Sequence, residues 1–173
     1  DALKIVDQLV KIGLLEEAEH ILNAKTSREA KKTDGKKKCE VRGIPKLEDA
    51  QWAGTGKSTE CTLILTEGDS AKALAIAGLT VVGKDYFGVY PLRGKVLNVR
   101  DADMKQVTVN QEISDLVKIL GLKYSTKKKT KEETYEELRY GRIMIFTDQD
   151  VDGSHIKGLI MNLFSTFWPE LLE

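Results

Sequence analysis

Two short apolar runs, each ending in acid, constrain this chain more than any other feature. Cys61–Thr66 (CTLILT) breaks at Glu67-Gly68-Asp69, and Arg142–Thr147 (RIMIFT) runs straight into Asp148-Gln149-Asp150-Val151-Asp152-Gly153. Such runs are shorter than an ordinary helix, rich in branched side chains and closed by turn residues, so they read as buried strands. Helical sequence follows both. Ser70–Ala77 is Ala-rich and closed by Gly78, and its small side chains predict a close approach to a sheet. Ile156, Leu159, Ile160, Leu163, Phe164 and Phe167 form a stripe that stops before Pro169. Asn110 is predicted to cap a further helix, with Ile113, Leu116, Val117 and Leu120 on one face and Gly121 at its end. Tyr90–Arg100 reads as a Pro-Leu-Arg-Gly-Lys turn followed by Val-Leu-Asn-Val. Strands alternating with helices predict the α/β class, a parallel sheet flanked by helices.

The remainder of the chain is organised by charge. Of 173 residues 41% are apolar, enough for a packed core, and 27 basic side chains balance 27 acidic ones. Net charge therefore says nothing for nucleic acid, and any DNA surface must come from local asymmetry. That asymmetry lies between Lys25 and Lys46, with nine basic residues against three acidic. The first two dozen residues read as helix (Leu3, Val6, Leu9, Val10, Leu14, Leu15, Ala18, Ile21, Leu22), weakened at Gly13. From Thr26 to Lys38 the apolar pattern vanishes, so this stretch reads as a solvated basic tether, or as a DNA contact or nuclear import signal. Val41–Thr59 reads as loop, and Lys123–Glu137 as a polar insert, mobile and dispensable for the fold. The predicted organisation is a helical and basic extension (1–38), a loop-rich connector (39–60) and an α/β domain (61–173). A start at Asp1, inside helix-like sequence, suggests a piece of a larger polypeptide. No run of about 18 apolar residues predicts a membrane helix, and no signal peptide is visible. Cys39 and Cys61 fit neither a disulfide framework nor a zinc site, which points to a reducing, intracellular compartment.

In an open parallel sheet, ligands bind at the carboxyl ends of strands. Glu67 stands at the end of one run and Asp148, Asp150 and Asp152 at the end of the other. If the two strands are neighbours, four carboxylates converge, and their mutual repulsion demands a cation or raised pKa values. All are oxygen donors and His155 is the only imidazole nearby, which favours Mg²⁺ over Ca²⁺ or Mn²⁺. The plainer alternative is that the aspartates form turns and cap the next helix. Two resemblances fail on spacing. The Asp148 segment begins like a calcium loop, but its twelfth position is Leu159, where a glutamate is required. Gly56-Lys57-Ser58 ends like a phosphate-binding loop, but the required first glycine is Gln51 and a strand follows.

Glu67-Gly68-Asp69-Ser70-Ala71, taken with Asp148-x-Asp150-x-Asp152-Gly153-x-His155, resembles the TOPRIM domain, a metal-binding module of topoisomerases, bacterial primases and some nucleases. Pro91-Leu92-Arg93-Gly94-Lys95-Val96-Leu97-Asn98-Val99-Arg100 narrows the resemblance to type II DNA topoisomerases. Gln149 after the first aspartate, and Arg100, resemble the eukaryotic type more than bacterial gyrase. The match runs from about Gly43 to Glu173; residues 1–38 carry no motif beyond occupying the region that joins the ATPase half to TOPRIM.

The resemblance implies a Rossmann-like fold and a DNA-cleaving, religating enzyme that passes one duplex through another. Glu67 and Asp148 would be catalytic, and Glu67, Asp148 and Asp150 would hold Mg²⁺, with Mn²⁺ or Ca²⁺ as substitutes. Asp152 would complete or orient that site. Lys95 and Asn98 would contact DNA beside the cleavage point, with Arg93 adding phosphate attraction. His155 would donate to a phosphate or cap its helix. The family's tyrosine nucleophile follows an arginine in a domain downstream. Arg139-Tyr140 imitates the dipeptide but precedes a strand within TOPRIM itself, so Tyr140 reads as a packing residue. Double-stranded DNA, a homodimer, a nuclear location, no membrane, and ATP used by a domain absent here complete the implied picture. A TOPRIM nuclease or primase, a non-catalytic metal-binding or interaction module, and a bacterial gyrase-type subunit remain as alternatives.

Overall fold

The computed structural model describes residues 14–31, 33–36, 39–124 and 130–172. Among the described residues the fold is carried, in order, by α1 (Leu14–Lys31), β1 (Thr62–Glu67), α2 (Gly68–Val82), β2 (Phe87–Leu92), α3 (Met104–Val109), α4 (Gln111–Leu120), α5 (Lys131–Glu137), β3 (Arg142–Phe146) and α6 (Val151–Phe167). The three strands form a parallel sheet in the order β2-β1-β3. The two acid-ended strands are therefore neighbours, as the site reading required, with Thr66 opposite Phe146.

Alternation along β1 explains the layers. Leu63 and Leu65 face the main core, shared with Ile113 and Leu116 of α4 and Ile156 and Leu163 of α6. Ile64 faces the other way, onto Leu79 of α2 and Val89 of β2. Both faces of β1 are covered, hence its unbroken apolar run. On α4, Asn110 Oδ1 accepts from Ile113 N at 3.0 Å, and Gly121 closes the helix in the left-handed conformation, as the sequence predicted. No helix among the described residues is long and apolar enough to cross a membrane.

Several expectations are corrected. RIMIFT is not buried on both sides: Ile143 and Ile145 pack on the core, whereas Met144 (48% exposed) and Phe146 (40% exposed) face outward. The reason is topological, since α2 packs mainly over β1 and β2. Phe87–Leu92, read partly as a turn, is the strand β2; its outer edge is held by Glu48, which exchanges backbone bonds with Val89 at 2.9 and 2.8 Å. The Ala-rich helix passes through Gly78 and ends only at Gly83, and a side chain at Gly78 would meet nothing within 4 Å.

The supposed tether is structured as well. Helix α1 reaches Lys31, Ala30 is buried, Gly35 N donates to Leu122 O at 2.6 Å and Asp34 accepts from Tyr124 N at 2.7 Å. The expected helix before residue 14, together with Lys32, Lys37 and Lys38, lies outside the described residues. The insert contains α5, whose capping box joins Thr130 and Glu133. Its Thr134 is buried and donates to Glu170, and Tyr135 donates to Gly141 O at 2.7 Å. The expected mobile loop is thus in part a docked helix; residues 125–129 lie outside the description.

The connector supplies a polar contact to the core. Arg139 is fully buried, donating from Nη1 to Ile119 O at 2.8 Å and from Nη2 to Cys39 O at 3.4 Å and to the Asp49 carboxylate. Tyr140 donates its hydroxyl to Asp49 and accepts from Ala50 N at 2.9 Å. Burial first, then the Asp49 charge, pushes the Tyr140 phenol well above the usual tyrosine range.

Candidate metal centre and nucleic-acid face

Glu67 is the last residue of β1, and the chain leaves it through Gly68 at φ +79°, a conformation that side chains disfavour. The turn sends the backbone into α2 and leaves the Glu67 side chain at the carboxyl edge of the sheet. Its Oε2 is buried and has no hydrogen-bond partner among the described residues. Asp148, two residues beyond β3, lines the same open cleft of about 470 Å³, together with Ser70, Leu74, Phe146 and Thr147.

The other two aspartates are engaged elsewhere. Asp150 caps α6, its Oδ1 accepting from Gly153 N at 2.7 Å. A side chain at Gly153 would come within 2.2 Å of Asp148 O and 2.8 Å of Thr147 Oγ1, so only glycine lets this turn close. Asp152 accepts from Lys95 Nζ at 2.9 Å, and that bond holds its carboxyl below the usual carboxylate range. Among the described residues no three His, Cys, Asp or Glu side chains gather closely enough to enclose an ion. The expected four-carboxylate convergence is in this structure a Glu67–Asp148 pair, with a helix cap and an ion pair alongside. Neighbouring carboxylates repel, and each available N–H or ammonium draws one aside.

The donor set nonetheless suits a hard cation. A buried carboxylate oxygen without a donor is costly, and Glu67, which carries one, lines a cleft together with a second, exposed carboxylate. Oxygen ligands with room for water are what Mg²⁺ requires.

The loop from Arg93 to Arg100 forms the adjoining face. Val96 and Val99 are buried and anchor it, while Arg93, Lys95, Asn98 and Arg100 stand exposed around them. Asn98 Oδ1 accepts from Arg100 N at 3.1 Å, fixing the local turn. His155 lies on the exposed side of α6 near Asp152; the cap that it was a candidate for is made by Asp150. Sequence reasoning missed Glu112, whose carboxylate accepts from Arg93 N and whose pKa burial raises against the pull of Arg93. Nothing local pairs a residue in the first turn of α4 with a loop 19 positions earlier. It also missed Lys46, which binds Asp69 at 2.7 Å.

A three-stranded parallel sheet with acid at the carboxyl edge of two adjacent strands defines a class, and the comparisons agree with it. The Toprim domain model matches residues 62–173, and the chain belongs to that family. It is 53% identical over 170 residues to DNA topoisomerase 2 of Drosophila melanogaster, covering 98% of this chain and 12% of the fly protein. It is 58% identical over 143 residues to human DNA topoisomerase 2-alpha, covering 83% of this chain and 9% of the human one. The chain thus spans about a tenth of the length of these relatives. The solved DNA-binding, cleavage and re-ligation domain of Plasmodium falciparum topoisomerase II superposes with a TM-score of 0.72 at 57% identity. That superposition covers 77% of this chain and 18% of the other.

Proposed function

We propose that this chain is the metal-binding half of the DNA cleavage–religation site of an ATP-dependent type II topoisomerase of the eukaryotic kind. One observation carries the reading: Glu67 and Asp148, at the ends of adjacent parallel strands, line one cleft, and a buried Glu67 oxygen has no partner among the described residues. Glu67 and Asp148, with the second oxygen of Asp150, would hold Mg²⁺, or Mn²⁺ or Ca²⁺ in its place. When bound, such an ion supplies Lewis-acid stabilisation of charge on phosphate oxygens. Around it Arg93, Lys95 and Asn98 set cationic and hydrogen-bonding groups on one exposed loop, suited to a duplex backbone. His155 adds a donor from the exposed side of α6. Tyr140 is buried against Asp49 and serves packing, so the attacking tyrosine comes from another part of the enzyme, as does ATP hydrolysis. A homodimeric enzyme acting on double-stranded DNA in the nucleus completes the reading.

The test is Asp148→Asn in the full-length enzyme that carries this segment. Cleavage should fall by about a hundredfold or more, while the melting temperature without metal stays level or rises as one repelling charge is lost. Wild-type cleavage by Asp148→Asn would overturn the metal site. The 173-residue chain alone, incubated with supercoiled plasmid and Mg²⁺, should form no covalent adduct; an adduct would return Tyr140 to consideration.

A further inference from the structure

Asp152 and Lys95 come from opposite sides of the sheet's centre. Lys95 follows β2 and Asp152 opens α6 after β3, and these two strands flank β1 on either side. Strands lie ~4.8 Å apart, and the 2.9 Å contact joins segments that leave two strands lying on either side of the one that carries Glu67. Both partners stand on fixed backbone. Buried Val96 and Val99 pin the loop beside and beyond Lys95, and the Asp150 cap with the tight Gly153 turn pins the start of α6. Asp152 does not line the Glu67–Asp148 cleft. His155, one turn along α6, also lies close enough for its charge to act on Asp152, and its side chain is exposed.

We propose that Asp152 is a positioning residue for Lys95: it holds the ammonium across the end of β1, toward a bound phosphate backbone, and is not a ligand of the metal. The proposal rests on the reading of Lys95 as a DNA contact. A lysine has three donors on a flexible stem. One donor fixed by a carboxylate leaves two for phosphate and removes much of the freedom that phosphate binding would otherwise have to freeze.

A double-mutant cycle on the full-length enzyme tests this, with binding to a short duplex measured in EDTA at several salt concentrations. Lys95→Ala should weaken binding and reduce the salt slope by about one. Asp152→Asn should weaken it about threefold in the presence of Lys95 and not at all in the Lys95→Ala background, and Asp152→Glu should retain wild-type affinity. Tighter binding by Asp152→Asn in both backgrounds would make Asp152 a mere local repulsion and overturn the proposal. A shift in the Mg²⁺ midpoint for cleavage by Asp152→Asn, in the manner of Asp148→Asn, would make it a metal ligand and overturn it equally. If Lys95→Ala leaves both affinity and slope unchanged, the DNA-contact reading itself falls, and the positioning role with it.

Discussion

Just ahead of the amino end of β3, Arg139 is sealed from solvent and its guanidinium meets Asp49, Ile119 O and Cys39 O. At the carboxyl end of the same sheet, Asp148 and Lys95 are exposed, and one oxygen of Glu67 is buried with no partner among the described residues. The contrast follows from water. A charge with no access to solvent is tolerable only when protein groups replace its hydration, so the buried end is closed by contacts 90 residues apart in sequence. An exposed charge keeps its hydration, and a weakly partnered one can exchange water for a ligand. One end spends its polar groups on stability, and the other keeps them available.

The contrast can be broken hardest at the buried end. Asp49→Ala takes a carboxylate away from the buried Arg139 guanidinium and should cost about 3–5 kcal/mol in urea unfolding. A loss under about 1 kcal/mol would mean that the connector is not integral to the core. Gly153→Ala at the acid end drives a methyl into Asp148 O and should cost about 1–3 kcal/mol. Unlike Asp49→Ala, it should also disturb Mg²⁺-dependent cleavage, because the turn carries Asp148; unchanged cleavage would separate that turn from the site.

A smaller effect concerns Glu112, whose folded pKa burial raises. Its contribution to stability is full below the unfolded glutamate pKa and is lost as pH rises through the folded value. Glu112→Gln keeps an acceptor for Arg93 N and should flatten that decline in a pH series of melting curves. An unchanged slope would place the decline on other groups. The smallest effect on stability belongs to Asp148→Asn, which should leave the metal-free midpoint level or slightly raised; a marked fall would make Asp148 a structural residue like Asp49.

The elements that were legible in the sequence are those whose signal is local. Asn110 and Gly121 bound α4 because capping chemistry acts within a turn. β1 was plain because both of its faces are covered. β3 carries the same kind of apolar run but lies at the edge, and no feature of RIMIFT itself shows that α2 packs mainly on the other two strands. α5 was hidden by its charge, since its packing runs through Thr134 and Tyr135 and not through an apolar stripe.

The candidate site divides in the same way. The order of residues alone put Glu67 and Asp148 at the ends of strands, and with them the chemistry of oxygen ligands. Only the tertiary structure decided that β1 lies between β2 and β3, that Asp150 caps a helix, that Asp152 reaches Lys95 and that Glu112 holds Arg93. Periodicity and caps report what a residue does within its own segment. Which carboxylate meets which cation, dozens of positions away, is set by how strands are ordered and where their loops are pinned.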